Sequence, residues 1–152
     1  MGKRYWEDLV LGDGFTCGPV AFDREGILEY GRRYDPWPFH TDEAAAEASI
    51  FSGLVASSFQ IVACCTRAVV EAHGERGELA VLSGLGVDEV RLLNPVRPGD
   101  DVTVEARWTE LRRSRSKPDR GIAILSCRAV NQRGEPVLEY GYRYLLACRT
   151  EG

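Results

Sequence analysis

The chain has little with which to build a metal site. It carries two histidines and five cysteines among 152 residues. There is no Cys-x-x-Cys pair or metal-like spacing, so no structural zinc is expected. Cys64-Cys65 sit in an apolar helical run, and Cys17, Cys127 and Cys148 fall in strand-like segments. All five read as small buried hydrophobes of a reducing compartment. No apolar stretch follows the basic start Met1-Gly2-Lys3-Arg4, which runs directly into Tyr5-Trp6-Glu7-Asp8, so no signal peptide is expected. The longest apolar stretch, Gly53 to Cys65, is too short and too polar to span a bilayer. A net charge of -4 gives no electrostatic reason for a nucleic-acid or membrane partner. Repeats, linkers and low-complexity tracts are also lacking. What remains reads as one cytoplasmic domain over 1–152, and its 44% hydrophobic content suffices for a real core.

Along the chain, Phe15 to Phe22 reads as a short strand. Asp23 then caps a helix that carries Ile27, Leu28, Tyr30 and Gly31 at helical spacing. That helix must stop near Tyr34, because Asp35 precedes Pro36 and a residue before proline avoids the helical region. Pro38 repeats the constraint, so Asp35 to His40 is expected to be a stiff, extended connector. Thr41 is placed to cap a short helix with Asp42 and Glu43 in its first turn. The longest helix is expected from about Gly53 to His73. Leu54, Phe59, Ile61, Val62, Ala68, Val69 and Val70 make it apolar on most of its circumference, which predicts burial. After Gly74 the period becomes strand-like: Ala80–Leu93, Asp101–Leu111, Gly121–Val130 and Pro136–Cys148. The turns are Pro95 to Asp100 and Asn131-Gln132-Arg133-Gly134. Short connections favour antiparallel pairing, and one long helix with such a sheet is an α+β arrangement. The pattern alone does not separate it from other α+β folds.

Asp35-Pro36-Trp37-Pro38-Phe39-His40 resembles the Asp-x-Asn-Pro-x-His element of MaoC-like dehydratases and (R)-specific enoyl-CoA hydratases, closest to a branch that reads Asp-Pro-Gln-Pro-Phe-His. Tyr5-Trp6-Glu7-Asp8 with Gly12-Asp13 is similar to that family's opening, and Ser52-Gly53-Leu54-Val55-Ala56-Ser57 to the start of its central helix. Asp88-Glu89-Val90-Arg91 with Asn94-Pro95-Val96-Arg97-Pro98-Gly99-Asp100 resembles its strand-turn-strand signature, and Ser116 to Gly121 a turn of the variant branch. The likeness runs in order over nearly the whole chain.

The resemblance implies a hot-dog fold, an antiparallel sheet wrapped around one long helix, assembled as a homodimer or an oligomer of dimers. It implies addition of water to a 2-enoyl thioester, carried by coenzyme A or an acyl carrier, with no cofactor. Asp35 and His40 become the acid/base pair, and Gly53 the N–H donor for the thioester oxygen. Trp37, Phe39, Ser52 and Ser57 become acyl-pocket residues. Arg113, Arg115, Lys117 and Arg120, with Arg112 beside them, could meet coenzyme A phosphates, although a solvated hairpin is the commoner explanation for such a run. The sequence departs from the family at Trp37, where an amide is usual, at Ser52-Gly53 in place of histidine-glycine, and in a shorter segment between His40 and Gly53. Two other readings share the fold. A thioesterase usually places an acid on the central helix, yet Gly53 to Val70 contains none. A non-catalytic acyl-binding subunit usually lacks one of the pair, and here both are present.

Overall fold

The computed structural model describes residues 2–150. Strand β1 (Gly14–Phe22) leads to helix α1 (Arg24–Tyr34), short helices α2 (Pro38–Thr41) and α3 (Glu43–Glu47), and long helix α4 (Ser58–Glu75). Strands β2 (Val81–Leu92), β3 (Asp100–Arg113), β4 (Arg120–Asn131) and β5 (Pro136–Ala147) follow. The five strands form one sheet in the order β1-β3-β4-β5-β2, and every neighbouring pair is antiparallel. Among the described residues no helix is long and apolar enough to cross a membrane.

Period-2 alternation puts Val102, Val104, Ala106 and Trp108 of β3 on one face with Ala123, Leu125, Cys127 and Ala129 of β4. Ile61, Cys65 and Val69 of α4 close the core against that face. A sheet curved about one long helix is the hot-dog arrangement, as expected.

Three local expectations need correction. First, α4 starts at Ser58, with Ser57 as its N-cap, not at Gly53. Ser52 and Gly53 hold positive φ angles of 53° and 154°. The donors of the next residues are drawn outward: Val55 N–H bonds Phe39 O at 3.1 Å and Ala56 N–H bonds Val96 O at 2.8 Å. Second, His40 lies in α2 and not in an extended connector. Pro38 takes the first helical position, where a missing N–H costs nothing, and Asp42, not Thr41, caps α3. Third, α4 is not buried all round. Phe59, Ala63, Arg67 and Val70 form an exposed stripe along it, because a single sheet covers only one side of a helix.

Edge strand β2 is exposed along its length as well. Leu82, Leu85, Val87 and Val90 all stand in solvent.

Candidate active site

Asp35 ends α1. Its N–H still bonds Gly31 O at 3.0 Å, while its carbonyl accepts from Trp37 N–H at 2.9 Å. The side chain therefore projects from a fixed corner toward the start of α4. There Ser57 Oγ donates to Asp35 Oδ2 at 2.6 Å and accepts from Phe59 N–H at 3.3 Å. Ser57 is only 1% exposed, so the bond is shielded from competing water. Ser57, expected in the acyl pocket, is thus bonded to the carboxylate.

His40 is held by backbone. Its Nδ1 lies 2.7 Å from Val55 O. A carbonyl only accepts, so Nδ1 carries the hydrogen and the neutral ring keeps its lone pair on Nε2. Nε2 faces Asp35 Oδ2 at 3.4 Å, with the two side chains 8% and 16% exposed. Gly31 makes this approach possible. A Cβ there would stand 2.7 Å from His40 O and 2.9 Å from His40 Cβ, so a larger residue would push α1 off α2.

Two acceptors, Nε2 and Oδ2, thus meet across a gap too long for a good direct hydrogen bond. A proton donor bridging both satisfies the pair. A water does so, and so does a hydroxyl that hands over its proton.

Phe39 packs edge-on to His40 at 4.6 Å between centroids, and Phe51 edge-on to Phe39 at 5.3 Å. Trp37 lies parallel to Phe39 at 6.4 Å but is 62% exposed, so its indole flanks the pair from outside. Ser52 is exposed in its left-handed turn. Gly53 N–H bonds Ala46 O at 3.0 Å. It therefore has no free donor in this conformation, and the unpaired N–H groups of a helix start lie at α4's first turn, beside Ser57.

The basic hairpin does not join the pair within one chain. Val96 O binds Ala56 near the beginning of β3, whereas Arg113 ends that strand. The 14 residues of β3 extend about 45 Å at the usual rise per strand residue. Arg113 there holds Glu7 at 2.5 Å and covers the Trp6 ring at 5.4 Å; Arg120 holds Asp119 at 2.8 Å. Arg115 and Lys117 stand on the exposed turn between them. Open grooves run between β1 and α4 and across the outer face of the sheet, away from the pair. Among the described residues no cluster of three His, Cys, Asp or Glu side chains is placed to hold a metal.

Sequence reasoning missed the Val55 carbonyl, a backbone atom with no signal of its own, and the packing role of Gly31.

Comparison with known proteins identifies the family and the fold. Residues 16–124 match the MaoC like domain. A solved MaoC-like dehydratase from Rhodospirillum rubrum is 33% identical and superposes with a TM-score of 0.85, covering 97% of this chain and 99% of that one. The R-hydratase PhaJ1 from Pseudomonas aeruginosa, 20% identical, shares the fold with a TM-score of 0.70 over 97% of this chain and 92% of its own. Protein MaoC of Klebsiella aerogenes is 26% identical over 113 residues, which are 74% of this chain but 32% of that longer protein. The chain belongs to the family of MaoC-like domains, whose relatives include dehydratases.

Proposed function

We propose that this chain catalyses the reversible addition of water to a 2-enoyl thioester, giving a 3-hydroxyacyl thioester, with Asp35 and His40 as the reacting side chains. The observation that carries the reading is the His40 Nδ1 contact with Val55 O at 2.7 Å. Because Nδ1–H is bound to Val55 O, the free lone pair is aimed at the space shared with Asp35 Oδ2.

In hydration, a water held between them gives a proton to the pair as its oxygen bonds the β-carbon. The pair returns a proton to the α-carbon, so one O–H bond and the C=C π bond break while one C–O and one C–H bond form. Dehydration runs the same steps backward. Charge that develops on the thioester oxygen is met by the positive end of α4 beside Ser57. Gly53 serves there only in a conformation that frees its N–H from Ala46 O. Phe39 and Phe51, with Trp37 outside them, are the apolar wall nearest the pair.

A second copy of the chain fits the exposed β2. An unpaired edge strand with Leu82, Leu85, Val87 and Val90 in solvent is an unprotected pairing surface. A dimer through β2 extends the sheet and covers that apolar surface. Such a two-fold contact also sets the far end of each sheet toward the partner's pair, the arrangement in which Arg115 and Lys117 could meet a carrier phosphate. The carrier is coenzyme A or an acyl carrier protein.

Loss of the enoyl-thioester absorbance band over a panel of acyl-coenzyme A substrates tests the reading. Turnover is expected for at least one member. Release of free thiol without loss of that band would point to a thioesterase instead, although α4 carries no acid before Glu71. Binding without either change would identify a non-catalytic subunit.

A further inference from the structure

Arg97 lies in the turn between β2 and β3. The same turn supplies Val96, whose carbonyl holds Ala56, between the two residues that fix His40 and Asp35. Arg97's own backbone is pinned by Asp100. Its N–H bonds Asp100 Oδ2 at 2.9 Å, and its carbonyl accepts from Asp100 N–H at 3.0 Å. The half-buried side chain runs back to the loop before α4. There Nη2 donates to Phe51 O at 2.6 Å, and Nη1 stands 3.2 Å from where a Cβ of Gly53 would be.

Among the described residues no carboxylate pairs with the Arg97 guanidinium, whereas Arg113, Arg133 and Arg143 each hold one. Asp100, its neighbour, is already spent: Oδ1 accepts from Gln132 Nε2 at 2.9 Å and Arg133 Nη1 at 3.2 Å. Half-buried Arg97 thus offers five N–H donors, of which the described residues engage one, on a neutral carbonyl, an arrangement that favours an incoming anion. It stands close to the site. Two residues of extended chain from Gly53 to Val55 span about 7 Å, and Phe51, which Arg97 grips, packs through Phe39 onto His40. Glycine at 53 keeps the guanidinium uncovered there.

We infer that Arg97 recognises an anionic group of the thioester substrate, a carboxylate on the acyl part or a phosphate of the carrier. The inference rests on the hydratase reading for its substrate, and for its chemistry on a guanidinium that no carboxylate of the described residues holds.

Four 2-enoyl thioesters test it: acyl groups with and without a terminal carboxylate, each on coenzyme A and on pantetheine, which has no phosphate. In Arg97→Gln, kcat/KM for the anionic members is expected to fall about 10- to 100-fold more than for the neutral one, the scale of a charged hydrogen bond. A loss that follows the carboxylate assigns the anion to the acyl group, and one that follows coenzyme A assigns it to the carrier. Arg97→Lys, which keeps the charge but not the fork, should recover part of the loss. Equal loss across all four substrates, or no loss, overturns the inference, because Arg97 would then only prop the Phe51 loop or do nothing. If the wild-type chain turns over none of the four, the hydratase reading fails separately. Calorimetric titration with coenzyme A and with succinate then decides the anion site. Binding at least about 10-fold weaker in Arg97→Gln supports it; equal binding, or none in the wild type, overturns it.

Discussion

Ser57 makes two bonds at once, and two substitutions separate them. Ser57→Ala removes the N-cap acceptor for Phe59 and the donor to Asp35 Oδ2. The cap contributes about 1 kcal/mol, and a hydrogen bond to a charged group about 1.5 to 3 kcal/mol. Burial leaves no water to replace the second bond, since Ser57 is 1% exposed. In a chain of this size each kcal/mol moves Tm by roughly 2 to 4 °C, so Ser57→Ala should melt about 5 to 15 °C lower. Ser57→Gly loses the same bond to Asp35, but glycine caps a helix nearly as well as serine, so its Tm should lie a few degrees above that of the alanine variant. Activity should not follow that difference. With Asp35 released from Ser57, both variants should lose kcat about 10- to 100-fold, the scale of a small misplacement of a reacting group. Thermal unfolding and the enoyl-thioester assay on the same preparations read both quantities. If the alanine variant loses stability while kcat stays at the wild-type value, Ser57 is a helix cap and nothing more.

Asp35→Asn and His40→Ala should each lower turnover by about two orders of magnitude or more, and the double variant little further, because the pair handles one proton donor. His73 is 5% exposed, and burial, then Arg4 and Arg76, push its pKa down to about 4. The unfolded chain therefore binds more protons between the ordinary histidine value, about 6.5, and 4. Stability from this group is complete above that window and is lost as pH falls through it, by about 3 kcal/mol; His73→Phe should flatten the urea-unfolding profile over that range. Leu85→Lys puts a charge on the exposed edge strand, so it should shift sedimentation toward monomer and lower activity with it. Retained dimer would exclude β2 as the contact.

The strands of the second half were legible because their turns announce themselves, Asn131 to Gly134 between β4 and β5 and Pro95 to Asp100 before β3. Their order was not, since β2 and β3 are consecutive in the chain yet β2 pairs with β5. Asp35 and His40 stood out through the resemblance of their motif to a family element, whereas the two prolines pointed to an extended connector where α2 forms. The start of α4 was not legible. Leu54, Val55 and Ala56 continue the apolar pattern of the helix, yet their backbone answers to Phe39 and Val96, partners distant in sequence. Burial misled for a related reason. Apolar residues around α4 showed that every face prefers cover, but not that one chain covers only one of them. Arg97 read as part of a turn signature, because which carboxylates of the described residues lie near it is visible only in three dimensions.

The site's chemistry follows from what holds its two side chains. Each is oriented by a fixed hydrogen bond: Ser57 for Asp35, the Val55 carbonyl for His40. Both anchors lie in the extended segment before α4, and that segment is itself bonded to α2 through Phe39 and to the β2–β3 turn through Val96. The Asp35 carboxylate and the His40 ring therefore take their orientation from one segment. Because the gap separates two acceptors, the pair selects for a proton donor and does not distinguish water from the hydroxyl of a bound 3-hydroxyacyl group. On the proposed hydratase reading, one geometry serves addition and elimination alike, and the direction of the reaction is left to the concentrations of the two thioesters.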